Sequence, residues 1–233
     1  MSAPASIGLI IPSSNRLTEP QFNAYAPEGV GIHITRLRMT GKFRKPLNEL
    51  QRPLTEAAEA LSDVKPGVIV FHCTANSMEA GLAHEKAIVE IVERASGCLT
   101  ITTAQALTQA FGHLGIKKLV LISPYAKETN RLEVNYLTET GYTVLRELGL
   151  GLETHAYSAV TPEEWKKIVK ENSQPDADGY FLSCTNTRMI EAIEDLERDL
   201  GKPVISSNQA TLWACLKKLN IRHSDKKLGR LFN

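Results

Sequence analysis

The sequence predicts an α/β protein made of two similar parallel-sheet halves that face each other across a cleft. Two observations carry this expectation. Short apolar, β-branched runs alternate with amphipathic segments of helical spacing, and the whole order of signals occurs twice along the chain.

The runs at 7–11, 68–71, 99–102, 118–122, 180–182 and 204–206 read as strands buried on both faces, because they are continuously apolar rather than alternating. Between them, helical spacing falls at 85–95 (Ile88, Ile91, Val92), 130–138, 163–170 and 189–200 (Ile190, Ile193, Leu196, Leu200). Gly97, Gly115, Gly141 and Gly201 stand just past such segments, where helices often end in a left-handed residue.

The repeat is specific. Ile7-Gly8-Leu9-Ile10-Ile11-Pro12-Ser13 has a counterpart in Leu119-Val120-Leu121-Ile122-Ser123-Pro124-Tyr125. Gly67-Val68-Ile69-Val70-Phe71-His72-Cys73-Thr74 is matched by Gly179-Tyr180-Phe181-Leu182-Ser183-Cys184-Thr185. The spacing from Pro12 to Cys73 differs by one residue from that between Pro124 and Cys184, and Met78 and Met189 each follow their cysteine by five. Residues 100–106 echo 204–210. The expected halves are 1–105 together with 205–233, and 106–204, with the tail packing back on the first half.

Composition narrows the function classes. The chain has 233 residues, 42% hydrophobic and 23% charged, with a formal net charge of +1. No basic excess exists to neutralise phosphates, so neither nucleic acid nor a membrane surface is an expected partner. The apolar run at 7–11 is too short for a signal peptide or a membrane span, and a cytoplasmic address is expected. Four cysteines in such a chain should be reduced thiols, and none forms a Cys-x-x-Cys pair that would suggest structural zinc. Gly149-Leu150-Gly151 lacks a third glycine, and neither a Gly-x-Ser-x-Gly elbow nor a phosphate loop is present. No cofactor is expected.

Chemistry is expected at Cys73 and Cys184. Each follows a strand and precedes a helix, the end of a parallel sheet where ligands bind, and the repeat brings the two thiols to one cleft. Backbone N–H groups and a helix dipole there are expected to lower the thiol pKa and to bind a substrate carboxylate. Thr74, Asn76 and Ser77 in one half, and Thr185, Asn186 and Thr187 in the other, supply neutral donors for a carboxylate or an enediolate. Ser13 and Asn15 after the first strand, and Tyr125 after its counterpart, complete the expected substrate-binding set; Glu19 lies near Asn15 if that loop opens a helix. Cys98 and Cys215 read as small packed hydrophobes. His72 should point to the face opposite Cys73 and read as a packed histidine rather than a base.

These residues resemble the aspartate/glutamate racemase superfamily, and within it the maleate cis-trans isomerase and arylmalonate decarboxylase branch. The resemblance rests on Gly8-x-x-x-Pro12-Ser13-Ser14-Asn15 with Glu19, Cys73-Thr74, Ser123-Pro124-Tyr125 with Asn130, Ser183-Cys184, the run 201–209 and the ending Gly229-Arg230-Leu231-Phe232. It implies two pseudo-symmetric flavodoxin-like halves with the active site between them, and a homodimer or higher oligomer. Decarboxylases of the branch have glycine where this chain has Cys73, whereas isomerases and racemases keep both cysteines. The implied reaction is cofactor-independent maleate-to-fumarate isomerisation, with Cys73 adding to the double bond and Cys184 serving as acid and base. A departure stands at 159–164, where the isomerases carry a further asparagine and this chain has none; that widens the implied substrate to a different or substituted dicarboxylate. A two-cysteine racemase of aspartate or glutamate, an arylmalonate-type decarboxylase and a non-catalytic dicarboxylate-binding protein stay open beside it.

Overall fold

The computed structural model describes residues 5–41 and 45–233. Its strands form two four-stranded sheets. The first contains β1 (Ser6–Pro12), β2 (Gly31–Leu37), β3 (Val68–Phe71) and β4 (Thr100–Thr102) in the order β2-β1-β3-β4. The second contains β5 (Lys118–Ser123), β6 (Thr143–Gly149), β7 (Gly179–Leu182) and β8 (Val204–Ser206) in the order β6-β5-β7-β8. Every pairing is parallel, with Ile7 opposite Ile32 and Val68 in one sheet and Ile122 opposite Leu148 and Leu182 in the other. The helices are α1 (Thr18–Tyr25), α2 (Leu47–Ser62), α3 (Thr74–Met78), α4 (Gly81–Ser96), α5 (Thr103–His113), α6 (Lys127–Glu139), α7 (Pro162–Glu171), α8 (Ile193–Leu200) and α9 (Ser207–Lys218). Residues Met189–Ala192 form a 3-10 turn that leads into α8.

All six runs read as strands are strands, because β1, β3, β5 and β7 are covered on both faces and β4 and β8 are wholly buried. The more exposed edge strands, β2 and β6, carry no such run. Gly31–Leu37 is mostly half-buried and Thr143–Gly149 is largely exposed, and both carry charged residues that suit a sheet edge. Side chains of β1 alternate between two cores. Ile7, Leu9 and Ile11 join the large core shared by both sheets, whereas Ile10 faces a smaller one with Leu54, Ala58 and Ile69.

The repeat persists at the level of single hydrogen bonds. Glu93 accepts from the Thr100 amide as Glu197 accepts from the Val204 amide. Gly97 and Gly201 end their helices at φ 67° and 66°, a left-handed turn that glycine adopts without a Cβ clash. Capping boxes then open the next helices, Thr102 with Gln105 at α5 and Ser206 with Gln209 at α9. α5 and α9 pack on each other across the molecule, and α9 also touches α1 and β3. The 3-10 turn at Lys226–Phe232 instead packs against α8, β8 and α9.

Strand order reverses between β1 and β3, and again between β5 and β7. In open parallel sheets the crevice outside the carboxyl ends of strands at such a reversal is the ligand site. The loops leaving these four strands carry Asn15, Cys73, Tyr125 and Cys184, so topology alone directs them to one place.

Leu121 lies at the centre of β5 with no exposed surface. Leu121→Ala should lower unfolding stability by about 2–5 kcal/mol, measured as a reduced urea midpoint.

Candidate active site

A cavity of about 210 Å³ opens at this end of both sheets, and Cys73 and Cys184 both line it. Asn15, Asn76, Tyr125, Thr185 and Asn186 share its wall, together with Ser14, Thr40, Gly41, Glu79, Thr129, Thr154 and Tyr157. Among the described residues, no lysine, arginine or histidine lines it. Among the described residues, no cluster of three or more His, Cys, Asp or Glu could hold a metal ion, and no helix is long and apolar enough to cross a membrane. All four cysteines are free thiols.

Cys73 is the residue before α3, extended at φ −151°, and its Sγ donates to Asn76 Oδ1 at 3.1 Å. The Asn76 amide nitrogen donates in turn to the Met39 carbonyl at 3.1 Å, so the acceptor beside the thiol is held in place. Cys184 adopts φ 136°, a region that L-residues rarely enter and that costs on the order of 1–3 kcal/mol. Its backbone N–H donates to Ser207 Oγ at 3.2 Å, and its sulfur accepts from the Asn186 amide at 3.3 Å, while the nearby Tyr125 hydroxyl favours the thiolate. Ser207 Oγ also accepts from Thr74 Oγ1 at 2.8 Å. One serine at the start of α9 therefore joins the loops of both cysteines.

The loop after Cys184 is stapled to the first half. The Thr185 carbonyl accepts from Asn15 Nδ2 at 3.1 Å, Thr18 Oγ1 at 3.1 Å and Asn208 Nδ2 at 3.1 Å. Asn15 Nδ2 also reaches Thr185 Oγ1, while its Oδ1 caps α1 by accepting from the Leu17 and Thr18 amides. Arg16 N–H donates to Asn186 Oδ1 at 2.8 Å, and Gln21 donates to the Thr187 carbonyl at 2.9 Å.

Several expected site residues therefore have structural employment. Both ends of the Asn15 side chain are engaged within the protein. Thr74 is fully buried and gives its hydroxyl to Ser207, outside the cavity wall. Ser13 is exposed and away from the cavity; its neighbour Ser14 takes the lining position and bonds Thr40. Glu19 pairs with Arg36, which also donates to the Asn15 carbonyl. His72 is buried between Thr103 and Asn208, and burial lowers its pKa to about 4, so it is neutral.

The expected lowering of the thiol pKa is overturned. Burial pushes both Cys73 and Cys184 up to about 12, although the Asn76 contact at Cys73, and Tyr125 with the Asn186 amide at Cys184, act in the opposite direction. A five-residue α3 and a few amides do not repay the removal of water from sulfur. Tyr125 is likewise raised by burial, and its ring meets Tyr157 edge-on with centroids 5.6 Å apart.

Sequence reasoning missed the far wall. Thr40 and Gly41 follow β2, and Thr154 and Tyr157 follow β6, so both second-strand loops reach the cavity. The signal available was the repeat itself, which places all loops after parallel strands on one face. Thr161, in the segment that lacks the expected asparagine, caps α7 instead and does not line the cavity.

The family model for arylmalonate decarboxylase matches residues 7–232. A maleate isomerase from Geobacillus stearothermophilus is 28% identical over 242 residues, covering 97% of this chain and 96% of that protein. An arylmalonate decarboxylase from Bordetella bronchiseptica is 27% identical over 215 residues, covering 91% and 89%. The crystal structure of a cysteine-to-alanine variant of the maleate isomerase Iso from Pseudomonas putida S16 with maleate superimposes with a TM-score of 0.90 at 27% identity, covering 98% of this chain and 97% of that one. The chain belongs to the arylmalonate decarboxylase family, in the branch of the racemase-like superfamily that also holds the maleate isomerases.

The positive φ at Cys184 gives a test independent of substrate. Cys184→Gly should be more stable than Cys184→Ala by about 1–3 kcal/mol, read as the difference in thermal unfolding of the two variants.

Proposed function

We propose that this member of the family catalyses cofactor-independent cis-trans isomerisation of a small unsaturated dicarboxylate, of the maleate-to-fumarate type. Cys73 is the nucleophile and Cys184 the acid and base. The observation that carries the reading is the pair of thiols lining one desolvated cavity whose other polar groups are mainly hydroxyls and amides. Its relatives at 28% identity include maleate isomerases from two organisms.

The chemistry follows from those groups. The resting thiols are neutral, so the Cys73 proton passes to solvent before addition and is recovered from solvent once the C–S bond has broken, because only the thiolate attacks efficiently. The Cys73 sulfur then forms a bond to one olefinic carbon. The π electrons move to the other carbon and into its carboxylate, where neutral donors of the cavity stabilise the spreading charge. Cys184 S–H protonates that carbon, leaving a thioether with a freely rotating single bond. After rotation the Cys184 thiolate takes the proton back, the C–S bond breaks, and its electrons return to Cys73. Addition and elimination together replace a barrier to double-bond rotation by two smaller ones. The cycle consumes no proton and no redox partner.

A racemase would use the same two thiols on opposite faces of a Cα–H centre. The two are separated by incubating the protein with maleate, with D- and L-aspartate and with D- and L-glutamate. Fumarate should appear from maleate by proton NMR, and solvent deuterium should not enter the amino acids. Cys73→Ala should reduce maleate turnover by at least about 10³-fold, while full turnover by that variant refutes the covalent route.

Because burial raises both thiols, kcat/KM should climb with pH between 6 and 8, by up to about tenfold per unit. A flat profile measured by fumarate formation would mean that thiolate supply does not limit the reaction.

A further inference from the structure

Beneath the cavity floor lies a carboxyl group that the chemistry above does not use. Glu133 projects from α6 and has no exposed surface. Its Oε1 accepts from Ser183 Oγ at 2.9 Å, and its Oε2 is buried without a hydrogen-bond partner among the described residues. Ser183 immediately precedes Cys184, the residue held at φ 136°. A strained conformation persists only where its neighbours over-determine it, and the Ser183 side-chain bond is one of the few that act there. The bonds from Cys184 N–H to Ser207, from Thr187 Oγ1 to the Cys184 carbonyl, from the Asn186 amide to the Cys184 sulfur and from Ser183 N–H to the Ile122 carbonyl act there as well.

We propose that Glu133 is a positioning residue of this site: a neutral carboxylic acid that anchors Ser183, and through it the Cys184 backbone, without placing a fixed anion beneath the two thiols. An unpartnered buried oxygen is far less costly on a protonated acid than on a carboxylate, which places the proton on Oε2. Burial accordingly holds the group protonated up to about pH 8. The groups that feel its charge are Cys73 at the start of α3, Cys184 after β7 and Tyr125 after β5, and each is made harder to ionise by it. Among the described residues, no cation acts on the three. Glu85, on the neighbouring α4, is occupied by Thr102 and Tyr136 and does not bond Glu133. Glu79, which follows α3, adds its charge at Cys73. When Glu133 ionises, its charge opposes thiolate formation, so above the range in which the acid is neutral the rise of thiol reactivity with pH is damped.

This inference deepens the two-thiol reading above, yet its test requires no substrate, so failure on maleate and failure here are separate results. The experiment follows alkylation of Cys73 and Cys184 by iodoacetamide, quantified for each cysteine by peptide mass spectrometry between pH 6.5 and 9.5. Glu133→Gln preserves shape and an acceptor for Ser183 but cannot ionise. The ratio of variant to wild-type alkylation rate at Cys184 should rise about tenfold across that range, bending near pH 8, because a shift of one pKa unit changes the thiolate fraction tenfold. A ratio that does not change with pH overturns the proposal, since a residue that only fills space would alter all rates alike. Ser183→Ala provides an independent check. It removes the bond that favours the Glu133 anion, so the bend in its own alkylation profile should move to higher pH. An unmoved bend also overturns the proposal.

Discussion

The Thr185 carbonyl is the point on which the site depends. It accepts from Asn15 and Thr18, which lead from β1 into α1, and from Asn208 on α9, three donors drawn from two distant stretches of chain. Each bond contributes on the order of 1 kcal/mol net, but leaving any of these buried donors unmatched costs about 1–3 kcal/mol. The arrangement is therefore all-or-none rather than graded. It fixes the loop of Cys184 against the first sheet, and Ser207 ties in the loop of Cys73. The facing of the thiols is thus a property of this polar seam, whereas the apolar core supplies the bulk of the stability around it.

The same seam explains the electrostatic character of the cavity. Asn15 and Thr74, the residues most naturally read as substrate donors, are engaged in holding the halves together. What remains toward the cavity is mainly uncharged, Ser14, Thr40, Thr129, Thr154, Asn186 and the two tyrosines, with Glu79 as a carboxylate on the wall beside Cys73. A site built this way binds an anion through oriented dipoles that need no reorganisation when charge shifts along the substrate. Its drawback is desolvation of sulfur, which outweighs the local hydrogen bonds and leaves both thiols protonated at rest.

Most of the fold was legible because the buried strands announce themselves by composition and the repeat restates each announcement. β2 and β6 were not legible, since an edge strand needs neither a continuous apolar run nor strict alternation, and α2 carries Pro53 within its span. Cys73 and Cys184 were legible as a pair only through the duplication; neither has a local motif that would single it out. The partners of their neighbours were not. Nothing in the spacing says that Asn15 turns its amide to Thr185, 170 positions away. Glu133 carried no sequence signal either, because a glutamate within an amphipathic helix ordinarily faces water, and its burial follows from where α6 meets Ser183.

The bonds made by Ser207 and Asn208 also set an order in time. Both residues open α9, the last helix along the chain, and between them they hold Thr74, the Cys184 amide, the Thr185 carbonyl and His72. During synthesis the two sheets can be complete, and both cysteines present, while the seam still lacks these contacts. A nascent chain emerges from its amino end, so these contacts can form only after both sheets and both cysteines have been made. Until α9 docks, the loops of the two sulfurs lack the bonds through Ser207 and Asn208 that hold them in place.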